Sequence, residues 1–318
     1  MTGSSRLWWR AAGLGLAAAP LATAFVIVAT APASAQEAAG QGAGEVAADP
    51  ASNDPVARGR YVFDAAGCAG CHTEDAAGAV PLAGGRALAT PFGTFFGPNI
   101  TPDPDHGIGD WSEEDFRRAL VEGRSPEGHA YFPVFPYTSY TAMTDADIED
   151  LWAYLQTVEP AGRENTAHDV APPFGWRWLL PAWRLMNFDE GAEALAAVGA
   201  DPDDRGAYLA EALTHCGQCH TPRGPLGGFD VDRHLAGWAE GPEGDTVPNI
   251  TPHPEAGIGG WTASDLTFLL ELGMTPEGDF VGGSMNEVVQ NTTSRLTAED
   301  REALAHYILS VPASDHRP

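Results

Sequence analysis

Apolar residues first gather in one unbroken run. Residues 11–30 are almost wholly apolar or small, follow Arg6 and Arg10, and lead to "ASA" at 33–35. A basic start, an apolar stretch and an A-x-A site predict an export signal cleaved after Ala35. The alternative is an uncleaved anchor, because about twenty apolar residues can just cross a bilayer. The many alanines, Pro20 and the cleavage site favour removal. After this run the pattern turns amphipathic and comes round twice. A short helical pattern enters a cysteine motif, a Gly- and Pro-rich loop follows, a short helix starts at Ser112 or Thr262, and a last amphipathic helix starts after Thr144 or Thr297. Both threonines are good N-caps, and Asp147 or Asp300 three places later completes a capping-box-like pattern.

The two rounds are copies. "PNITPDPDHGIGDWSEEDF" at 98–116 returns as "PNITPHPEAGIGGWTASDL" at 248–266, and "RGRYVFDAAGCAGCHT" at 58–73 as "RGAYLAEALTHCGQCHT" at 205–221, with one residue more. "MTDADIEDLWAYLQTV" answers "LTAEDREALAHYILSV". Shared order at an offset of about 150 residues marks a duplicated domain. The predicted layout is a signal peptide at 1–35, a flexible acidic and Ala-rich segment at 36–54, one domain at 55–160, a Trp-rich linker at 161–204 and a second domain at 205–318, all mainly α. The linker's "PPFGWRWLLPAWRLMNF" is expected to pack over the domains it joins, with docking on a membrane as the alternative.

Charge narrows the partners. The chain has 17 basic residues, all arginine, against 44 acidic ones, for a net charge of −27 that becomes −29 once the signal and its two arginines are removed. Such a surface repels nucleic acid and anionic membranes and steers toward basic partners.

All four cysteines lie in two C-x-x-C-H motifs, Cys68-Ala-Gly-Cys71-His72 and Cys216-Gly-Gln-Cys219-His220. This is the attachment signature of c-type haem: two thiols about one helical turn apart meet the two vinyl groups of one porphyrin, and the next residue offers imidazole to the iron. A thioredoxin-like pair, a zinc site or disulfides would each use part of this pattern. Two complete copies with no spare cysteine, behind an export signal, favour two covalent haems c, with His72 and His220 as proximal ligands. A porphyrin also supplies the core that about a hundred loop-rich residues cannot build alone. Gly59 and Gly206 are then expected to let the terminal helix, with Tyr154 or Tyr307, cross closely. The "PNITP" turns, the "GIG" loops, Trp111 and Trp261 are expected around the haem.

A thioether suits the sixth position of an electron-transfer haem. Met285 lies twelve residues before Thr297 and after Gly282-Gly283, which predicts a loop crossing the second haem. In the first copy the matching place falls near Phe132 or Phe135. Met143 aligns with Leu296 and fits the staple position against Ile148. It is also the nearest thioether, so Met143, His129 and an open site stay as alternatives.

These residues resemble the multihaem class I cytochrome c subunits of bacterial membrane-associated dehydrogenases. The resemblance rests on "CAGCHT", "PFGTFFGPNITPDPDHGIGDW", "SPEGHAYFPVFPYTSYTAMTDADIEDLWAYL", "HCGQCHTPRG" and "GSMNEVVQNTTSRLT", and covers roughly residues 55 to 312. It implies two tandem class I cytochrome c domains that take electrons from a flavin, quinoprotein or molybdenum dehydrogenase and pass them to a downstream acceptor in the periplasm. Many relatives carry a third haem domain and a C-terminal anchor. Here there are two motifs and the end "VPASDHRP", which points to a soluble shuttle, with membrane association only through a partner or an uncleaved N-terminus. Many relatives also read "YPAMPY" where this chain has "FPVFPY", which puts Phe135 at their methionine. The alternative function is a dihaem enzyme, peroxidase-like or thiosulfate-oxidising, working at a labile first haem. No acid/base pair or nucleophile stands beside that motif to support it.

Overall fold

In the computed structural model, residues 48–318 are described; the predicted signal and most of the segment after it lie outside the described residues. The first copy starts with α1 (Pro55–Ala65), where Pro55 follows the N-cap Asp54, whose carboxylate accepts from Val56 N at 3.0 Å. α2 (Cys68–His72) is the first motif itself. The hairpin β1 (Ala87–Thr90) and β2 (Gly93–Phe96) follows, then α3 (Glu113–Glu122), α4 (Tyr137–Tyr140) and α5 (Asp145–Leu155). The linker contributes α6 (Leu180–Asn187) and α7 (Ala192–Ala197).

The second copy repeats the order with α8 (Arg205–Ala207), which runs on as a π-turn (Tyr208–Leu213), then α9 (Gly217–His220), α10 (Ala263–Leu272), α11 (Gly283–Asn291) and α12 (Ala298–Ile308). Where the first copy has its hairpin, the second makes a single bridge between Trp238 and Val247. The one extra residue of the second copy is absorbed in the π-turn, a widened turn that admits an insertion without breaking the helix. α11 replaces the loop expected around Met285. Val289 on its inner face is buried, and that anchorage outweighs the two glycines at its start.

Within each copy the first and last helices cross at a glycine. A Cβ on Gly59 would collide with the Asp150 carbonyl, and one on Gly206 with the Ala303 carbonyl; Tyr154 and Tyr307 close the same crossings. The apolar core runs on through both copies, joining Val62, Phe63, Leu151 and Leu155 to Leu209, Leu213, Leu304 and Ile308.

The copies also cap each other. Ser112–Asp115 and Thr262–Asp265 form complete capping boxes. At α5 and α12 only half the box forms: Thr144 Oγ1 accepts from Asp147 N, and Thr297 Oγ1 from Asp300 N. The reciprocal half is taken over by a tyrosine from the other copy. Tyr61 Oη donates to Asp300 at 2.6 Å and accepts from Thr297 N at 3.1 Å. Tyr208 Oη donates to Asp147 and accepts from Thr144 N at 3.2 Å. Each hydroxyl is inserted into the box in trans, so helix capping and the joining of the copies are one interaction. Arg205 holds Asp300 from the side at 2.5 Å, and Arg58 holds Asp150 at 2.6 Å.

The linker packs over both copies, though not along its whole length. Its start is tied to the first copy, where Arg163 reaches Glu74 and the Gly84 carbonyl, and Asn165 accepts from Asn99 N. Trp183 reaches the Leu226 carbonyl of the second copy. Between them Leu180 is buried with Phe95 and Phe132 and Arg177 donates to the Ala130 carbonyl at 3.0 Å, while Trp178 is 70% and Leu185 89% exposed.

Candidate functional site

Each cysteine motif is held by the turn "PNITP". His72 Nδ1 lies 2.8 Å from the Pro98 carbonyl, and His220 Nδ1 2.8 Å from the Pro248 carbonyl. A carbonyl only accepts, so each Nδ1 carries the hydrogen and each Nε2 keeps its lone pair for a metal. Burial holds both imidazoles below the ordinary histidine range, against the opposing pull of the carbonyl, which favours the neutral, ligating form. The turn is rigid in both copies. Asn99 Oδ1 accepts from Thr101 N and Oγ1 while its amide clamps the Ala161 and Arg163 carbonyls; Asn249 does the same with Thr251, Ser314 and His316.

The four thiols are unpaired. Burial pushes Cys68 and Cys216 up to about 12 and Cys71 up to about 11, and raises Cys219 as well. A redox dithiol or a zinc site needs the opposite, a lowered thiolate. Among the described residues no three His, Cys, Asp or Glu side chains cluster to hold a metal ion. These surroundings fit thiols that end as thioethers. Ile100 and Trp111 in the first copy, and Ile250, Trp261 and Met285 in the second, pack against the same core as the cysteines yet stay only partly covered. Incompletely covered apolar side chains beside each motif suit a flat apolar macrocycle.

The two motifs meet across the copies. Gln218, inside the second motif, donates to Thr138 and Ser139 at 2.8 and 3.1 Å. Tyr140 Oη donates to the Ala66 carbonyl just before the first motif, and its ring meets His215 just before the second. The Cys219 thiol is close enough to add to the burial that raises Cys71.

The candidate thioethers take different places. Met285 sits in the first turn of α11, half-buried, on a helix that packs against both α10 and α2. Met143 is buried in the core at the place of Leu296; the two share the backbone bond pattern, Met143 N to Tyr140 O and Leu296 N to Thr293 O. Phe135 lies half-buried among Tyr131, Tyr137 and Tyr140. His129 is exposed. Two arginines beside the second cysteines carried no distinctive sequence signal. Arg86, bound to Asp75, Glu243 and Glu287, offsets part of the rise at Cys71, and the deeply set Arg223, bonded to Gln218 at 2.7 Å, does so at Cys219.

Residues 56–159 match the family model for cytochrome c. The chain is 47% identical over 264 residues to a dihaem cytochrome c-type protein of Cereibacter sphaeroides, covering 81% of this chain and 86% of that one. It is 36% identical to the gluconate 2-dehydrogenase cytochrome c subunit of Pantoea cypripedii, covering 84% of this chain and 62% of the subunit. It is 37% identical to the fructose dehydrogenase cytochrome subunit of Gluconobacter japonicus, covering 81% of this chain and 53% of the subunit. The chain thus spans most of the first relative but only about half to three-fifths of the dehydrogenase subunits.

Proposed function

The chain belongs to the cytochrome c family, and on that premise we propose that it is a periplasmic carrier with two covalent haems c, taking electrons from a dehydrogenase and passing them to a downstream acceptor. Haem c supplies one-electron cycling of its iron; the protein supplies attachment, orientation and a dry setting. In this reading Cys68 and Cys71 hold one haem and Cys216 and Cys219 the other, within two tandem cytochrome c domains at 55–160 and 205–318. His72 and His220 are the proximal ligands, and Met285 the distal ligand of the second iron. Met143, buried at the place of Leu296, packs the core in this reading, and ligation of the first iron by it is the alternative.

The observation that carries the proposal is the paired histidine geometry. In both copies a backbone carbonyl fixes Nδ1 and leaves Nε2 bare, one residue after a C-x-x-C turn with unpaired thiols. The partner is supported by the names of the relatives, which are cytochrome subunits of gluconate, fructose and alcohol dehydrogenases. Periplasmic export rests on the sequence of residues 1–35. No helix among the described residues is long and apolar enough to cross a membrane.

The test is expression with haem-attachment machinery in an exported form, followed by a haem count after denaturation. Two covalent haems per chain are expected, one after Cys68→Ala with Cys71→Ala, and both should be reduced by a dehydrogenase through its flavin, quinone or molybdenum centre. A chain without covalent haem sinks the proposal.

A further inference from the structure

A buried acid lies behind the cysteine motif in both copies, but its partners differ. In the first copy Asp64 is bonded by Arg60 at 3.1 Å and by Arg295 at 3.2 Å, and Arg60 also donates to Tyr154 Oη at 3.0 Å. Counted from Arg58 and Arg205, the matching acid of the second copy is Glu211 in the π-turn, and Ala207 stands where the first copy has Arg60. Glu211 is bonded instead by Tyr307 Oη at 2.9 Å and by His234 Nε2 at 2.9 Å. Leu82 and Leu235 anchor the alignment of the next segment, since both take positive φ and both donate their N–H to the motif threonine at 3.1 Å. His234 therefore stands where the first copy has Pro81. Arginine keeps its charge at all working pH values, whereas histidine changes charge near neutrality. One copy surrounds its acid with arginines, the other with a histidine and a tyrosine.

This cluster lies directly on the second motif. A Cβ on Gly217, between Cys216 and Gln218, would sit 3.3 Å from Thr221 Oγ1, 3.4 Å from His234 Cε1 and 3.8 Å from Glu211 Oε2. Glu211 adds to the burial that raises the Cys216 thiol. The Glu211 and His234 side chains are only 9% and 11% exposed, so a charge change there is weakly screened by water. Protons still have a path. His234 lines an open cavity of about 520 Å³ together with Asp232, Arg233, His253, Asp315 and His316. Arg233 is bound to Asp230 at 2.6 Å. From the other side only Tyr307, on which Asp204 also acts, and Cys216 are seen to face Glu211 among the described titratable groups.

We propose that Glu211 and His234 form a proton-loading site for the second motif, taking up one proton when the haem attached there gains an electron and releasing it on oxidation. The inference rests on the two-haem reading above. The electron comes from the dehydrogenase, or in the test from dithionite. The proton comes from water through the cavity and rests on the Glu211–His234 pair, so the added negative charge is met by one positive charge and no bond to the motif changes. The first copy, with Arg60 and Arg295 around Asp64, takes up none. The chain thereby acts as an electron carrier at one centre and as a coupled electron and proton carrier at the other.

The experiment starts from a haem count, because fewer than two haems would fail the two-haem reading and leave nothing to attribute to this pair. With two haems present, the two midpoint potentials are followed by spectroelectrochemistry across neutral pH. One is expected to fall as pH rises, since losing the proton favours the oxidised form, and the other to stay flat. A tenfold difference in proton affinity between the oxidation states corresponds to about 59 mV. Glu211→Gln, which keeps the hydrogen bonds, should move the sloping range to lower pH, and Glu211→Gln with His234→Gln should flatten it while leaving the other potential unchanged. Proton uptake on reduction in weakly buffered solution should fall together with the slope. Two flat potentials in the wild-type protein, or a slope that survives in the double variant, overturn the proposal.

Discussion

The first copy reaches its cysteine motif through an α-helix, while the second does so through a π-turn with one residue more. Both still place the histidine on a proline carbonyl, clamp the asparagine of "PNITP" on the chain after the terminal helix, and cross two helices at a glycine. These shared features fix where an attached group sits. The parts that differ surround it: Arg60 against Ala207, Pro81 against His234, Phe135 against the α11 segment with Met285. Duplication kept the mounting and let the electrostatic setting drift, so the two motifs stand in different surroundings.

The most severe way to test the shared part is at the crossings. Gly59→Ala and Gly206→Ala each force a methyl into a backbone carbonyl and should each cost about 3 kcal/mol or more, read by urea unfolding. Equal losses would show that the two crossings bear the same load. The largest expected asymmetry is at the irons. Met285→Leu should lower one potential by a large step and abolish the thioether-to-iron band of that centre, while Met143→Leu leaves both centres' spectra as they were. Low-temperature EPR of the oxidised variants separates these outcomes.

The reciprocal caps come next. Tyr61→Phe and Tyr208→Phe each leave an N-cap amide and a carboxylate short of one partner, for a loss of about 0.5–1.5 kcal/mol apiece. A smaller effect is set by acid. Burial works to raise the Asp300 carboxyl, but hydrogen bonds from Arg205 and Tyr61 outweigh it and hold the group below its usual range. Its stabilisation is complete above the unfolded carboxylate value, about pH 4, and is lost as pH falls through the folded one. The stability gap between the wild-type protein and Asp300→Asn should therefore narrow below about pH 4. The smallest change is the folding cost of Met143→Leu, under about 1.5 kcal/mol, because the volume is nearly kept.

Much of this arrangement was legible in the sequence because it is local or repeated. The cysteine motifs, the threonine caps and the matched glycines depend on short spacings, and the duplication doubled each signal. What stayed hidden is long-range. Thr144-x-x-Asp147 reads as a complete capping box, and nothing nearby reveals that Tyr208, 61 residues away from Asp147, takes the carboxylate. The count of residues before Cys216 disclosed an insertion but not that a π-turn would absorb it and present Glu211 to His234. The Trp-rich linker was expected to pack over the domains it joins, and it does so unevenly: Leu180 is buried with Phe95 and Phe132 and Arg177 bonds the Ala130 carbonyl, while Trp178 and Leu185 remain in solvent. Met143 was ambiguous because the staple position and a ligand position both call for a flexible apolar side chain; the structure buries it in the same core as Ile148, at the place of Leu296.

The exchange of tyrosines has a consequence for assembly. Tyr61 caps a helix that follows it by more than two hundred residues, and Tyr208 caps one that precedes it, so the clasp is indifferent to whether both halves belong to one chain. Only the linker's length favours the intramolecular pairing, by keeping the halves at an effective concentration of about millimolar. Shortening that linker should turn the same clasp outward, so that the halves of two chains pair with every cap still made.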